Sequence, residues 1–194
     1  VSIQLAASLK EKGYSFRMSI IGNGDMEQQL RNMIEKKRLS DCVEMMGAMS
    51  PEEVRLHMEK ADIYLFTSDF NEGWGAVLNE SMNSGCAVVA SHAIGSVPFL
   101  IRDGENGLIY ENGSLTHLES QVRRLLDDTA YRKDIGEKAY YTIAEKWNAR
   151  VAANRFIELV KTLMRGDMAN ELFDDGPCSK AEILSNGWYH ANES

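Results

Sequence analysis

The chain has 194 residues, of which 44% are hydrophobic and 26% are charged, and these proportions are typical of one folded, soluble domain. They exclude a fibrous or a wholly disordered protein. Twenty-one Lys and Arg against 29 Asp and Glu leave a net charge of −8, which argues against a general affinity for nucleic acid.

The cysteine spacing and the hydropathy pattern favour a protein of a reducing, aqueous compartment. Cys42, Cys86 and Cys178 are far apart and form no CxxC pair, so we expect reduced thiols. No apolar run approaches the roughly 20 residues that cross a bilayer, and no signal-peptide pattern opens the chain. We expect a cytoplasmic protein, with the inner membrane surface as a second option. Because Val1 already stands in a helical pattern, we expect a fragment of a longer chain.

Apolar runs alternate with helical spacings from the first residue to about position 110. The predicted strands are YSFRMSIIG, CVEMM, IYLFTS, AVVAS and LIY. The spacing predicts helices over residues 1–13, 25–37, 51–60, 75–84, 114–126, 130–147 and 148–164, with a short helical turn at VPFLI. Ser50, Pro51 and Glu53 have the pattern of a capping box, and Asn148 that of an N-cap.

This alternation predicts an α/β fold. Near-continuous apolar strands between amphipathic helices are typical of a parallel sheet with helices on both faces. We expect residues 1–164 to form this domain. Residues 165–194 are polar and acidic, so we expect a peripheral, partly disordered tail with at most a short helix near residues 181–184.

The loop after the strand IYLFTS is the richest in glycine and polar residues. Ligands of open parallel sheets bind at the carboxyl ends of the strands, where this loop lies. Gly73 and Gly75 let the backbone approach a ligand, and the helix start that follows favours phosphate. Glu72 and Glu80 stand eight positions apart across this turn. Because carboxylates repel phosphate, we interpret them as acceptors for hydroxyls flanking a diphosphate, as in a nucleotide sugar.

Other interpretations of these residues stay open from the sequence. Glu72 and Glu80 are compatible with a solvated pair near a helix start, or with the two carboxylates of a glycosidase. IIGNGDME resembles the start of a GxGxxG motif, but Glu27 stands where the third glycine is needed, which disfavours an oxidoreductase. His92 either faces the pocket or makes a structural hydrogen bond, and Trp74 either walls the pocket or packs under the loop.

Four segments, EGWGAVLNE, MNSGCAVVAS, GSVPFLI and DGENGLIY, occur in an order that resembles a known family. They are similar to the donor-binding half of retaining glycosyltransferases with the GT-B fold, the group called family four. The E-x7-E motif of that family matches Glu72 to Glu80, and the resemblance covers about residues 1–164. It implies a Rossmann-like domain, the carboxyl-terminal half of a GT-B architecture, without its first strand and its acceptor-binding domain.

The resemblance also implies roles for individual residues. Glu72 is expected to hold hydroxyls of the transferred sugar as the catalytic residue, and Glu80 to hold the ribose hydroxyls. The residues implied on donor sugar and diphosphate are Gly22, Gly24, Glu72, Gly73, Trp74, Gly75 and Ala76. The family's basic residues for the diphosphate would precede Val1, so we expect the chain by itself to be inactive.

The activity implied for the parent protein is retaining transfer of a sugar from a UDP- or GDP-linked donor to a glycan, lipid-linked or other acceptor. No metal and no further cofactor are expected. The expected partners are the donor, the N-terminal domain of the parent chain and, through that domain, a peripheral membrane contact; nucleic acid is not expected. A non-catalytic nucleotide-sugar-binding module, a phosphorylase and a sugar-nucleotide epimerase remain alternatives.

Overall fold

The computed structural model describes residues 1–166, 172–181 and 183–190, and strands and helices alternate in these ranges as predicted. The strands are β1 (Met18–Ile21), β2 (Val43–Gly47), β3 (Ile63–Phe66), β4 (Ala87–Ser91) and β5 (Leu108–Tyr110). The helices are α1 (Ser2–Glu11), α2 (Glu27–Lys36), α3 (Pro51–Lys60), α4 (Val77–Asn83), α5 (Val97–Leu100), α6 (Leu115–Asp127), α7 (Thr129–Tyr141) and α8 (Ala149–Met164).

All strand pairs that the structure describes are parallel, and they form two sheets. One sheet pairs β1 with β2, and its register shifts between Ile20 and Ile21. The other has the order β3, β4, β5. Within the described ranges, β1 and β3 each keep one edge without a strand partner. The predicted parallel pairing is confirmed, and the predicted single sheet is divided into two.

The strand β4 shows why helices cover both faces of the larger sheet. All five of its residues are buried, and successive side chains of a strand point to opposite faces. Val88 and Ala90 pack in a cluster with residues of α4 and α7, such as Leu78. Ala87 and Val89 pack in a second cluster with residues of α1 and α6, such as Leu118. The predicted double-faced α/β architecture is therefore confirmed.

The helix α1 connects the two sheets. Leu5 and Leu9 belong to the cluster beneath β4 and β5, whereas Ile3 and Ala6 pack with residues of α2 and β2. The helix begins beside the carboxyl end of β3, where the hydroxyl oxygens of Ser2 and Thr67 lie 3.3 Å apart. One amphipathic helix thus contributes to the cores of both halves.

Two of the predicted helix starts are confirmed in atomic detail. The Ser50 Oγ accepts a hydrogen bond from the Glu53 N–H at 3.3 Å, and the Glu53 carboxylate accepts one from the Ser50 N–H at 2.8 Å. The Asn148 Oδ1 accepts from the Val151 N–H at 3.0 Å. The helix predicted over 130–147 instead ends at Tyr141 and continues as a π-helical turn, Thr142–Lys146.

The described part of the tail is attached to the domain by charge. The Asp175 carboxylate lies 2.8 Å from the Lys146 ammonium and 2.8 Å from the Arg102 guanidinium, and the hydrogen bond from Lys146 lowers its pKa. The short helix expected near 181–184 is wrong for the residues described there, because Ala181, Ile183 and Leu184 are not helical. In the part of the chain that the structure describes, no helix is long and apolar enough to span a bilayer.

Candidate ligand-binding site

The loop between β3 and α4, Ser68–Ala76, is called here the glutamate loop. Its first half is a closed turn, because the Glu72 N–H donates to the Asp69 carbonyl at 3.0 Å and the Asn71 N–H donates to the Asp69 side chain at 2.9 Å. The Glu72 side chain is half-buried, and its carboxylate is 3.5 Å from the Ser68 hydroxyl. Most of the hydrogen-bonding capacity of this carboxylate is therefore free for a ligand.

The second half of the glutamate loop presents a row of unused donors. The backbone N–H groups of Gly73, Trp74, Gly75 and Ala76 have no acceptor among the residues that the structure describes. The helix that follows is only seven residues long, so this row of amides matters more than the helix dipole. Successive free N–H groups form a concave donor site for anions such as phosphate.

The two glycines of this loop serve different purposes. Gly75 has φ +74°, and a Cβ atom there would lie 2.8 Å from the ring of Phe66 and 2.9 Å from Ile94. Gly75 is therefore fixed by its conformation and its packing. Gly73 has open space where a Cβ would stand, so it leaves room for a ligand to approach the backbone.

Glu72 and Glu80 share a neighbour, Tyr64 of β3. Burial raises the pKa of the Tyr64 hydroxyl to about 12, and the carboxylates of Glu80 and Glu72 add to this rise. Both carboxylates therefore lie within electrostatic reach of the same hydroxyl, one from the loop and one from the exposed side of α4. The two predicted glutamates thus lie on consecutive elements, Glu72 on the loop and Glu80 on the helix that follows it.

Trp74 lies on the outside of the glutamate loop. Its ring stacks on Phe99 at 5.8 Å, its centroid is 5.9 Å from that of Trp147, and its indole N–H donates to Asn79 at 2.9 Å. With 43% of its surface exposed, Trp74 presents a partly exposed aromatic surface next to the free amides.

Gly22 and Gly24 follow β1 and thus belong to the other sheet. Gly22 has φ +128° and donates its N–H to the Gly47 carbonyl at 2.8 Å, while the Gly24 carbonyl accepts from Glu27 at 3.0 Å. Among the described residues, no hydrogen bond joins this glycine loop to the glutamate loop. The structure therefore places the two predicted parts of the site on separate sheets that α1 connects.

A third loop, His92–Ser96 after β4, supports the glutamate loop and is called here the bracing loop. The Gly95 N–H donates to the Gly73 carbonyl at 3.0 Å, and the Ser96 N–H donates to the Trp74 carbonyl at 3.1 Å. A Cβ on Gly95 would lie only 2.3 Å from the Gly73 carbonyl oxygen. Sequence reasoning missed this support, although the glycine at position 95 was its one visible signal.

His92 makes structural hydrogen bonds, as the second of the two interpretations from the sequence predicts. The side chain is buried, and its Nδ1 accepts from the Asn112 N–H at 2.9 Å, so the proton of the neutral ring is on Nε2. The Nε2–H donates to the Asn186 carbonyl of the tail at 3.2 Å. His92 therefore anchors the tail.

Parallel strands covered by helices, with a glycine turn between two glutamates at the carboxyl end of one strand, define a domain of the GT-B glycosyltransferase type. The chain belongs to the family described as Glycosyl transferases group 1, whose family model matches residues 1–142. The family resemblance and the fold class predicted from the sequence are thereby confirmed.

Curated relatives of the chain include bacterial glycosyltransferases. It is 30% identical over 168 residues to the amylovoran biosynthesis glycosyltransferase AmsK of Erwinia amylovora, an alignment that covers 84% of this chain and 41% of the relative. It is also 30% identical over 169 residues to the putative colanic acid biosynthesis glycosyltransferase WcaL of Escherichia coli, with the same two shares. The chain thus spans 41% of the length of these relatives.

Solved structures share the fold. The C-terminal domain of a group 1 family glycosyl transferase from Francisella tularensis superposes with a TM-score of 0.68 at 26% identity, covering 75% of this chain and 76% of that one. Alr3699/HepE of Anabaena, solved in complex with UDP, superposes with a TM-score of 0.71 at 19% identity, covering 82% and 44%.

Proposed function

We propose that the chain is the donor-binding part of a retaining glycosyltransferase of polysaccharide biosynthesis. The parent enzyme transfers a sugar from a nucleotide diphosphate sugar to a glycan, lipid-linked or other acceptor. The biosynthetic roles of the relatives AmsK and WcaL support this assignment, as does the UDP bound to Alr3699/HepE.

The observation that carries the proposal is the row of free amides between the two glutamates. Gly73 to Ala76 present successive N–H donors, Glu72 directly precedes this row, and Glu80 lies on the helix that follows it. Donors of this kind suit phosphate oxygens, whereas the carboxylates accept hydrogen bonds from hydroxyls. A diphosphate with a sugar on each side satisfies both groups at once.

In this proposal each group has a defined task. Glu80 accepts hydrogen bonds from the ribose hydroxyls, and Glu72 accepts them from the transferred sugar. When the bond between the anomeric carbon and the diphosphate breaks, negative charge grows on the leaving diphosphate, and the amides of Gly73 to Ala76 are placed to stabilise it. Gly22 and Gly24 would approach the diphosphate from the other sheet. Retention means that the acceptor oxygen bonds to the face that the diphosphate leaves; the acceptor O–H bond breaks as this bond forms, and its proton passes to the departing diphosphate.

We also propose the domain organisation of the parent protein. Residues 1–164 form the donor-binding domain, residues 165–194 form its tail, and an acceptor-binding domain lies upstream. Among the described residues β1 and β3 each keep an edge without a strand partner, and in this proposal one more parallel strand pairs with both; α1 begins beside Thr67, at the carboxyl end of β3, where a helix following such a strand would start. A longer natural chain should therefore show slow amide exchange along both edges; fast exchange there would contradict the extra strand.

Calorimetric titration of the chain with UDP, GDP and their sugars tests the donor site directly. We expect one of the two nucleotides to bind, and Glu80→Gln to weaken this binding by about 10- to 100-fold, because hydrogen bonds to a charged group contribute about 1.5–3 kcal/mol. Glu137→Gln is the matched control, since Glu137 is an exposed glutamate on α7.

Four outcomes separate the possibilities. Loss of affinity in Glu80→Gln alone supports the ribose assignment. An equal effect of Glu137→Gln would show that only net charge matters and would contradict it. A chain that binds none of these nucleotides contradicts the proposed function itself, and a parent enzyme that binds the donor without transfer or donor hydrolysis would be a non-catalytic module.

A further inference from the structure

The tail returns to the domain close to the bracing loop. The Trp188 indole N–H donates to the His92 carbonyl at 3.1 Å, and the Asn186 carbonyl accepts from the His92 Nε2–H at 3.2 Å. The segment 183–190, called here the tail segment, therefore binds both the backbone and the ring of one buried histidine. These contacts join residues 94 and 96 positions apart in the chain.

Tyr189 completes this attachment. Its ring stacks against the imidazole of His92 at 5.9 Å and against that of His117 at 6.2 Å. Its hydroxyl lies 3.0 Å from the Asp103 carboxylate and 3.0 Å from the Ile109 carbonyl. Burial and the nearby Asp103 raise the pKa of Tyr189, so the hydroxyl stays protonated and can donate. The attachment uses several polar and aromatic contacts of defined geometry.

The same histidine touches the glutamate loop. The Phe70 ring meets the His92 ring edge to face at 5.5 Å, and Phe70 stands two residues before Glu72. At the far end of the bracing loop, Gly95 donates its N–H to the Gly73 carbonyl. Contacts therefore run without a gap from the tail segment through the bracing loop to the proposed donor site.

We propose that Trp188 is a positioning residue of the donor site: by holding His92, it fixes the bracing loop, which in turn fixes the backbone of Gly73 and Trp74. This inference rests on the proposed function. Trp188 itself touches no proposed ligand group, and its effect reaches the amides only through the bracing loop. The tail segment is thus part of the donor-binding apparatus although it follows the donor-binding domain in sequence.

The test compares Trp188→Ala and Trp188→Phe with Ile183→Ala in the 194-residue chain. Ile183 is the matched control, because it lies in the same tail segment and is fully exposed. Amide hydrogen exchange is measured at Gly95 and Ser96, whose N–H groups make the bracing bonds, and UDP and GDP affinity is measured by calorimetry. We expect exchange about ten-fold faster and nucleotide affinity about five-fold weaker in Trp188→Ala, the size of a modest coupling between sites.

Trp188→Phe keeps the aromatic packing and loses only the N–H donor, so it should show a smaller change in both measurements. Unchanged exchange at Gly95 and Ser96 in Trp188→Ala would overturn the proposal. So would faster exchange with unchanged nucleotide affinity, because a merely structural role predicts that result. If the unaltered chain binds neither nucleotide, the proposed function fails, and the exchange rates alone then decide whether Trp188 positions the loop.

Discussion

Replacing Gly95 by alanine tests how closely the bracing loop and the glutamate loop are fitted. The new Cβ would stand 2.3 Å from the Gly73 carbonyl oxygen and 3.1 Å from its carbon. Carbon to oxygen contacts begin at about 3.3 Å, so the loops must separate by about 1 Å. Such a shift breaks the bond from Gly95 to Gly73 and weakens the bond from Ser96 to Trp74.

The expected cost follows from these contacts. Inserting a methyl group into a packed site costs about 1–3 kcal/mol, and each lost backbone hydrogen bond about 1 kcal/mol. Because the displaced loop relieves part of the overlap, we expect Gly95→Ala to lower the free energy of unfolding by about 2–4 kcal/mol. For a domain of this size, that is a fall in Tm of roughly 5 to 15 °C.

Urea unfolding and thermal unfolding measure this effect. Gly73→Ala is the control for stability, because it lies on the other side of the same contact and a Cβ there meets nothing within 4 Å. Two variants of equal stability would refute the argument, since the cost is assigned to a contact that only position 95 makes.

Two further predictions concern buried polar groups. The Ser96 hydroxyl is buried and has no hydrogen-bond partner among the described residues, so Ser96→Ala should stabilise the chain by about 1 kcal/mol in urea unfolding. Ser81→Ala should give no such gain, because the Ser81 hydroxyl donates to the Leu78 carbonyl at 3.0 Å, and equal gains would contradict the reasoning. Burial lowers the pKa of His117 below 6.5, so as the pH falls this histidine is protonated in the unfolded chain before it is protonated in the folded chain. The free energy of unfolding should therefore fall from about pH 6.5 downward and level off below the pKa of His117 in the folded chain. His117→Gln should flatten this part of the plot of unfolding free energy against pH, measured by a pH series of unfolding curves. An unchanged slope in the variant would contradict the argument.

Local signals predicted most of the fold. The apolar run AVVAS is the fully buried strand β4, and the capping box at Ser50 and Glu53 forms as its spacing indicates. Such features depend on residues that are close in sequence, so the pattern alone reveals them. The pair Glu72 and Glu80 was selected as a candidate site in the same way, from the glycines and strands around it, and its role stays a prediction.

Contacts between residues that are far apart in the sequence could not be predicted from local patterns. Trp188 meets His92 across 96 positions, and no periodicity in a polar tail indicates such a partner. The expected helix near 181–184 is wrong because the apolar Ile183 there buries nothing, so helix formation gains no packing. The support from Gly95 depends on a backbone to backbone distance that only the folded chain defines.

The helix α1 has a consequence for ligand binding that extends past its packing. Gly22 and Gly24 follow a strand of one sheet, and the glutamates follow a strand of the other. Among the described residues the two sheets are connected by the packing of α1 and not by strand pairing. A small molecule that contacts both loops would link the two sheets across this helix. Part of its binding free energy would go into restricting the motion of one sheet relative to the other, so saturation should slow amide exchange in α1.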